Sequence, residues 1–300
     1  MKFVHICLLC LMSWPMLAQE KFFLYPSTER VTNPGFDKDS EPPYFERYKA
    51  NPDSANGSAI LICPGGGYSH LADQHEGVDV ARYYNKLGYE TYVLHYRLNG
   101  PDQNGHRFPD QYRDVTTAIR MVKSKAKGWG IDPERIGIMG FSAGGHLASM
   151  CATMHLASQK KSKDPLEQWS SRPAFAILIY PVIAMAGQPA HRGSREMLLG
   201  KNPDDQLVDS LSTNNRVNAH TPPTFLVYAN DDGAVPPENG ILFYQALRKV
   251  NVPVSLHIYD HGGHGFGMAP KDPVLNTWPW LCAEWLERQG YAPKASKAKH

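Results

Sequence analysis

The chain has 300 residues, 42% of them hydrophobic, enough for one large core without a second domain. Its 31 basic and 29 acidic side chains leave a formal net charge of +2, with no basic patch interleaved with aromatics, so a nucleic-acid partner is not expected. Thirteen histidines invite a metal, yet neither H-E-x-x-H nor paired C-x-x-C occurs, and no metal or cofactor is expected.

Residues 1–18 read as a secretory signal peptide. Lys2 supplies a positive start, residues 3–12 are mostly apolar but too few to span a bilayer, and Ala18-Gln19 offers a small-residue cleavage point. The mature protein is therefore expected to be exported, without a transmembrane segment. Cleavage would remove Cys7 and Cys10 and leave Cys63, Cys151 and Cys282, each in an apolar stretch where a buried free thiol is the default. Residues 293–300 form a short basic tail of low complexity.

Residues 22–25 and 44–48 suggest antiparallel edge strands. Residues 59–63 (AILIC) are apolar throughout, the mark of a strand buried on both faces. Val80, Tyr83, Tyr84 and Leu87 give a helical face, residues 91–96 a strand, and Val115, Ala118, Ile119, Val122 and Ala126 a second helix. A strand over 136–139 leads to a third helix on Leu147, Met150, Cys151 and Met154. Residues 175–180, 225–228 and 254–259 are further strands; Phe243, Ala246, Leu247 and Val250, then Trp278, Leu281, Cys282 and Trp285, mark the last two helices. Residues 183–222 lose periodicity and read as a lid-like excursion from one domain over 19–292. Strands alternating with helices imply an α/β fold, a mostly parallel, doubly wound sheet with helices on both faces.

In such a sheet chemistry collects at the strands' carboxyl ends, and four loops there carry what acyl transfer needs. Gly65-Gly66-Gly67 follows the first buried strand and offers unobstructed N–H groups to a developing oxyanion, each worth about 3–4 kcal/mol in the transition state. Gly140-Phe141-Ser142-Ala143-Gly144 matches the G-x-S-x-G nucleophile elbow, with Ala143 supplying a further donor. After the strand at 225–228 come Asp231 and Asp232, of which Asp232, in D-x-x-V-P, is preferred as the carboxylate that orients a histidine. After the strand at 254–259 come His261 and His264; His264 has glycine on both sides and is preferred as the general base. The order Ser142, Asp232, His264 is that of α/β-hydrolases rather than of chymotrypsin or subtilisin types.

The motifs P-G-G-G-Y (64–68), G-F-S-A-G-G-H-L-A (140–148), D-G-A-V-P (232–236) and G-G-H-G-F-G (262–267) resemble the α/β-hydrolase superfamily. More narrowly, they are similar to its exported bacterial esterases of acetyl xylan esterase or feruloyl esterase type. The resemblance spans about residues 45–290. It implies Ser142 as nucleophile, His264 as base, Asp232 as its partner, and Gly66, Gly67 and Ala143 as oxyanion donors, with Gly65 or Gly66 as first donor left open. Pro64 stands where lipase-like esterases carry the histidine of H-G-G-G, which points away from that branch. The expected activity is cofactor-free hydrolysis of acyl esters, acetyl above all, on xylan-type oligosaccharides. Alternatives are a general short-chain carboxylesterase and a prolyl oligopeptidase-type peptidase. His146 reads as structural, and Tyr68 and Phe266 as candidates either to line an acyl or sugar pocket or, as aromatics near a core usually do, to pack.

Overall fold

The computed structural model describes residues 20–26, 42–99 and 105–292; the leader expected over 1–18 and the tail expected over 293–300 lie outside that set. The unbroken apolar runs become the middle of one sheet. Strands β3 (Ala59–Cys63), β5 (Ile136–Phe141), β6 (Ala176–Ile179) and β7 (Thr224–Ala229) are buried at every residue. A strand without polar alternation is stable only with both faces covered. Four more strands, β1 (Glu20–Phe23), β2 (Tyr44–Tyr48), β4 (Glu90–His95) and β8 (Val254–Tyr259), complete the order β1-β2-β4-β3-β5-β6-β7-β8. The β1–β2 and β2–β4 pairs are antiparallel and the rest parallel.

The topology places the chemistry. From β3 the chain steps to β4 on one side, then returns to β5 on the other, so the order reverses at β3. Such a reversal opens a crevice beyond the carboxyl ends of the two strands. Cys63 lies opposite Gly140 there, which sets the glycine loop after β3 beside the elbow after β5.

Among the described residues seven α-helices accompany the sheet: α1 (Asp79–Lys86), α2 (Asp110–Lys125), α3 (Ser142–Thr153), α4 (Arg192–Leu199), α5 (Asp205–Leu211), α6 (Glu238–Lys249) and α7 (Trp278–Arg288). Those with an apolar stripe bury it: Val115, Ala118, Ile119 and Val122 in α2, Phe243 and Leu247 in α6, and Trp278, Cys282 and Trp285 in α7. Helix α3 departs from its expected single apolar face, because every residue from 142 to 153 is buried. It packs against β5, β6, α2 and the 3-10 turn Thr213–Arg216 together. Small side chains permit that enclosure. At Gly144 a Cβ would stand 2.2 Å from the carbonyl oxygens of both Cys63 and Pro64.

Residues 183–222 hold α4, α5 and the 3-10 turn, two helices of only eight and seven residues. Helices that short show little periodicity in sequence. Polar contacts hold the segment to the core: Asn239 Oδ1 accepts the N–H groups of Ile183 and Ala184 at 3.0 Å each. Cys63, Cys151 and Cys282 are free and buried. Burial pushes the thiols of Cys151 and Cys282 up to about 12, so neither offers a thiolate near neutrality. Among the described residues no helix is long and apolar enough to cross a membrane.

Candidate active site

Strand β5 runs through Phe141, and α3 begins at Ser142 with no residue between them. So abrupt a turn puts Ser142 at φ 51°, in the left-handed region that side chains other than glycine rarely adopt. The hydroxyl is thereby lifted from the strand toward the loop after β8, where Ser142 Oγ lies 2.8 Å from His264 Nε2. His264 Nδ1 lies 2.7 Å from Asp232 Oδ2, on the loop after β7. A carboxylate can only accept, so Nδ1 carries the hydrogen and Nε2 presents its lone pair to the serine hydroxyl. The Asp232 side chain is fully buried while that of His264 is 26% exposed. The other oxygen, Asp232 Oδ1, accepts the N–H groups of Ala234 at 2.9 Å and Val235 at 2.8 Å, which fixes the carboxylate and balances its burial.

The neighbours that sequence left as alternatives have other partners. Asp231 Oδ1 accepts the Gly263 N–H at 2.8 Å, and that bond holds its carboxyl below the usual range. Asp231 thus splints the loop that Asp232 serves. His261 sits between Asp260 and Asp272, at 3.0 and 2.9 Å, and those carboxylates raise its pKa. It makes no bond to Ser142.

The glycine loop also separates its members. The Gly65 N–H donates to Glu76 Oε2 at 2.7 Å and is already engaged. The amides of Gly66, Gly67 and Ala143 donate to no group among the described residues. Gly66 has φ 124°, and a Cβ there would stand 2.1 Å from the carbonyl oxygen of His70. Only glycine fits.

His146, one turn into α3, is wholly buried between Tyr68 Oη at 2.8 Å and the Leu211 carbonyl at 2.8 Å. Burial pushes its imidazole down to about 4. The neutral ring donates from Nε2 to Leu211 and accepts from Tyr68 at Nδ1, joining the elbow helix to the glycine loop and to α5. Of the two roles open to Tyr68, pocket wall or core packing, the structure shows the second: it is fully buried on His146, and Phe266 packs edge-on against Tyr180 at 4.5 Å.

The cavity above Ser142 measures about 450 Å³, a volume suited to a small ligand. Ser142, His264, Gly66 and Gly67 form its base, and Ser69, His70, His75, His191 and Met197 its walls. A larger hollow of about 1160 Å³ lies at the amino ends of β3 and β5, beside Asn56, Ile131 and Arg135, away from all these groups. Sequence reasoning did not find Glu76, Tyr180 or His191. Glu76 belongs to a π-helical turn, Gln74–Val78, inside a polar run that carries no periodic signal. His191 caps α4 by accepting the Ser194 N–H at 3.2 Å on Nδ1.

A parallel sheet with a serine at a strained strand-to-helix turn, and with aspartate and histidine following later strands, defines an α/β hydrolase. The chain belongs to the BD-FAE family, which matches residues 47–247. It is 42% identical over 220 residues to an acetylxylan esterase of Xylanibacter ruminicola, covering 72% of this chain and 42% of that protein. It is 33% identical over 227 residues to endo-1,4-beta-xylanase B of Butyrivibrio fibrisolvens, covering 75% of this chain and 35% of the other. The chain thus spans less than half the length of these curated relatives. The crystal structure of an acetyl ester-xyloside bifunctional hydrolase from Caldicellulosiruptor lactoaceticus superposes with a TM-score of 0.85 at 41% identity. That match covers 91% of this chain and 97% of the other.

Proposed function

We propose that the protein is an exported serine esterase that removes acyl groups, acetyl above all, from xylan-type oligosaccharides through an acyl-enzyme. The observation that carries this reading is the line Ser142 Oγ, His264 Nε2, Nδ1, Asp232 Oδ2, ending beside three unengaged amides. Ser142 Oγ attacks the ester carbonyl as its proton passes to His264 Nε2. The negative charge moves onto the carbonyl oxygen, facing the N–H groups of Gly66, Gly67 and Ala143. Collapse breaks the bond to the alkoxy oxygen, which leaves with the proton from His264. Water then repeats the sequence on the acyl-enzyme, giving the free acid and restoring Ser142. Asp232 keeps the ring in the required tautomer and stabilises the imidazolium.

The substrate class rests on the acetyl-ester and xylan-related relatives and on the pocket walls. Ser69, His70, His75 and His191 offer hydrogen bonds suited to a hydroxyl-rich leaving group. His191 accepts at Nδ1, which leaves Nε2–H to donate to a sugar oxygen. Residues 19–292 act as one domain in this reading, with 183–222 as a lid over the site, since His191 and Met197 line the cavity. Export in this reading rests on the leader expected over 1–18.

The deciding experiment compares acetate release from acetylated xylan with cleavage of feruloylated xylan and p-nitrophenyl acetate by the mature protein. Efficient acetate release from xylan supports the proposal; turnover of p-nitrophenyl esters alone would assign a general short-chain carboxylesterase instead. A fluorophosphonate probe must label Ser142, and an unlabelled serine ends the acyl-enzyme mechanism.

A further inference from the structure

Glu76 is a buried carboxylate in the wall of the cavity that the acyl-transfer scheme does not use. It is 3% exposed and bonded at both oxygens. Oε2 accepts the Gly65 N–H at 2.7 Å, one residue before the Gly66 amide. Oε1 accepts the Tyr180 hydroxyl at 2.8 Å. Tyr180 Oη in turn accepts the Gly267 N–H at 2.9 Å, three residues beyond His264. The Tyr180 ring also stands edge-on to the His264 imidazole, centroids 5.0 Å apart. Gly267 is held from its other side by Trp278 Nε1, which donates to its carbonyl at 2.9 Å.

These bonds run from the loop that carries the free amides to the loop that carries the imidazole. The tolerance is narrow: a Cβ on Gly65 would stand 2.6 Å from Glu76 Oε2 and 2.9 Å from Ser142 Cβ. Tyr180 itself is held at φ 36°, a conformation that surrounding contacts must impose on a non-glycine residue. We propose that Glu76 is a positioning residue that, through Gly65 on one side and Tyr180 and Gly267 on the other, sets the oxyanion donors and His264 in one frame. The role rests on the acyl-transfer reading above.

The chemistry demands a carboxylate. Two donors converge on Glu76, and only an ionised acid accepts at both oxygens. A glutamine has one acceptor and one NH2. Turned one way it sets the NH2 against the Gly65 N–H; turned the other it makes the Tyr180 oxygen, which already accepts from Gly267, accept again and strands the hydroxyl hydrogen. Misplaced donors weaken transition-state binding more than ground-state binding, so the loss should fall on kcat.

The test is Glu76→Gln in the mature protein, assayed on p-nitrophenyl acetate beside wild type and Ser142→Ala. The expected result is a kcat about 30- to 100-fold lower, a KM within about twofold, and the affinity for an alkylboronic acid weakened in step with kcat/KM. Fluorophosphonate should still label Ser142 to completion, though more slowly. An unchanged kcat, or a loss confined to KM, overturns the proposal. Tyr180→Phe keeps Glu76 and its bond to Gly65 but removes the hydroxyl that joins Glu76 to Gly267. A kcat loss of about tenfold with KM retained supports the frame even if Glu76→Gln fails to fold; full activity in Tyr180→Phe counts against it. A wild type that neither turns over esters nor labels would instead refute the acyl-transfer reading.

Discussion

Ser142 Oγ and His264 Nε2 stand 2.8 Å apart although 122 residues separate them in the chain. The contact exists because β5 and β8 are parallel strands of one sheet, both ending at the same edge. Replacing Ser142 with alanine should lower kcat on p-nitrophenyl acetate by about six orders of magnitude. In the proposed reaction His264 acts on the same step, so His264→Ala should cost about as much and the double variant little more. A strictly additive double variant would show that the two groups do not work as a unit.

The adjacent aspartates should respond very differently. Asp232→Asn keeps the shape but favours the wrong imidazole tautomer, which should reduce kcat about 10⁴-fold. Asp231 is exposed and accepts the Gly263 N–H. Its conversion to asparagine leaves an oxygen to accept that N–H and removes only the charge, so it should cost under about tenfold. Comparable losses in both variants would contradict the division of labour.

Gly66→Ala tests the donor loop. The added Cβ would meet the His70 carbonyl at 2.1 Å, so the loop must move and take the Gly66 and Gly67 amides with it. Activity should fall about 100-fold in kcat with the melting temperature little changed. Intact kcat would remove these amides from the reaction.

His191→Asn retains a side-chain oxygen to cap α4 but withdraws the imidazole from the pocket wall. With one hydrogen bond to a sugar oxygen lost, KM for acetylated xylo-oligosaccharides should rise about tenfold, with p-nitrophenyl acetate unaffected. Equal changes on both substrates would show that His191 does not contact the sugar.

His146 should make stability depend on pH. Burial lowers its pKa from 6.5 to about 4, so between those values the unfolded chain holds a proton that the folded chain does not. Stability is therefore full above pH 6.5 and falls as pH drops toward 4, by about 2 kcal/mol between pH 7 and pH 5. Urea unfolding of wild type and His146→Gln at both values should show that difference in slope. Parallel pH dependences would exclude His146 as its source.

Much of this was legible in the sequence because burial writes directly into composition. Residues 59–63 and 225–228 are apolar without alternation, and only strands covered on both faces tolerate that. Ser142 was legible through the glycines that a tight turn requires, and His264 through those that flank it. Tyr68 stayed open because an aromatic beside a glycine loop suits a pocket wall as well as a core. Here the buried His146 decided the matter by offering its hydroxyl a partner.

What the sequence by itself determined was the alternation of strands and helices, the strained serine, and the short set of acids and bases that follow each strand. These are local properties, set by side-chain polarity and backbone freedom within a few residues. Tertiary structure alone decided that Gly65 spends its amide on Glu76 and that α3 is enclosed on every side, and it turned the preference for Asp232 over Asp231 into a contact with the imidazole. Each depends on where distant strands end relative to one another. Hydrogen bonds act over about 3 Å, a distance that no spacing along the chain encodes.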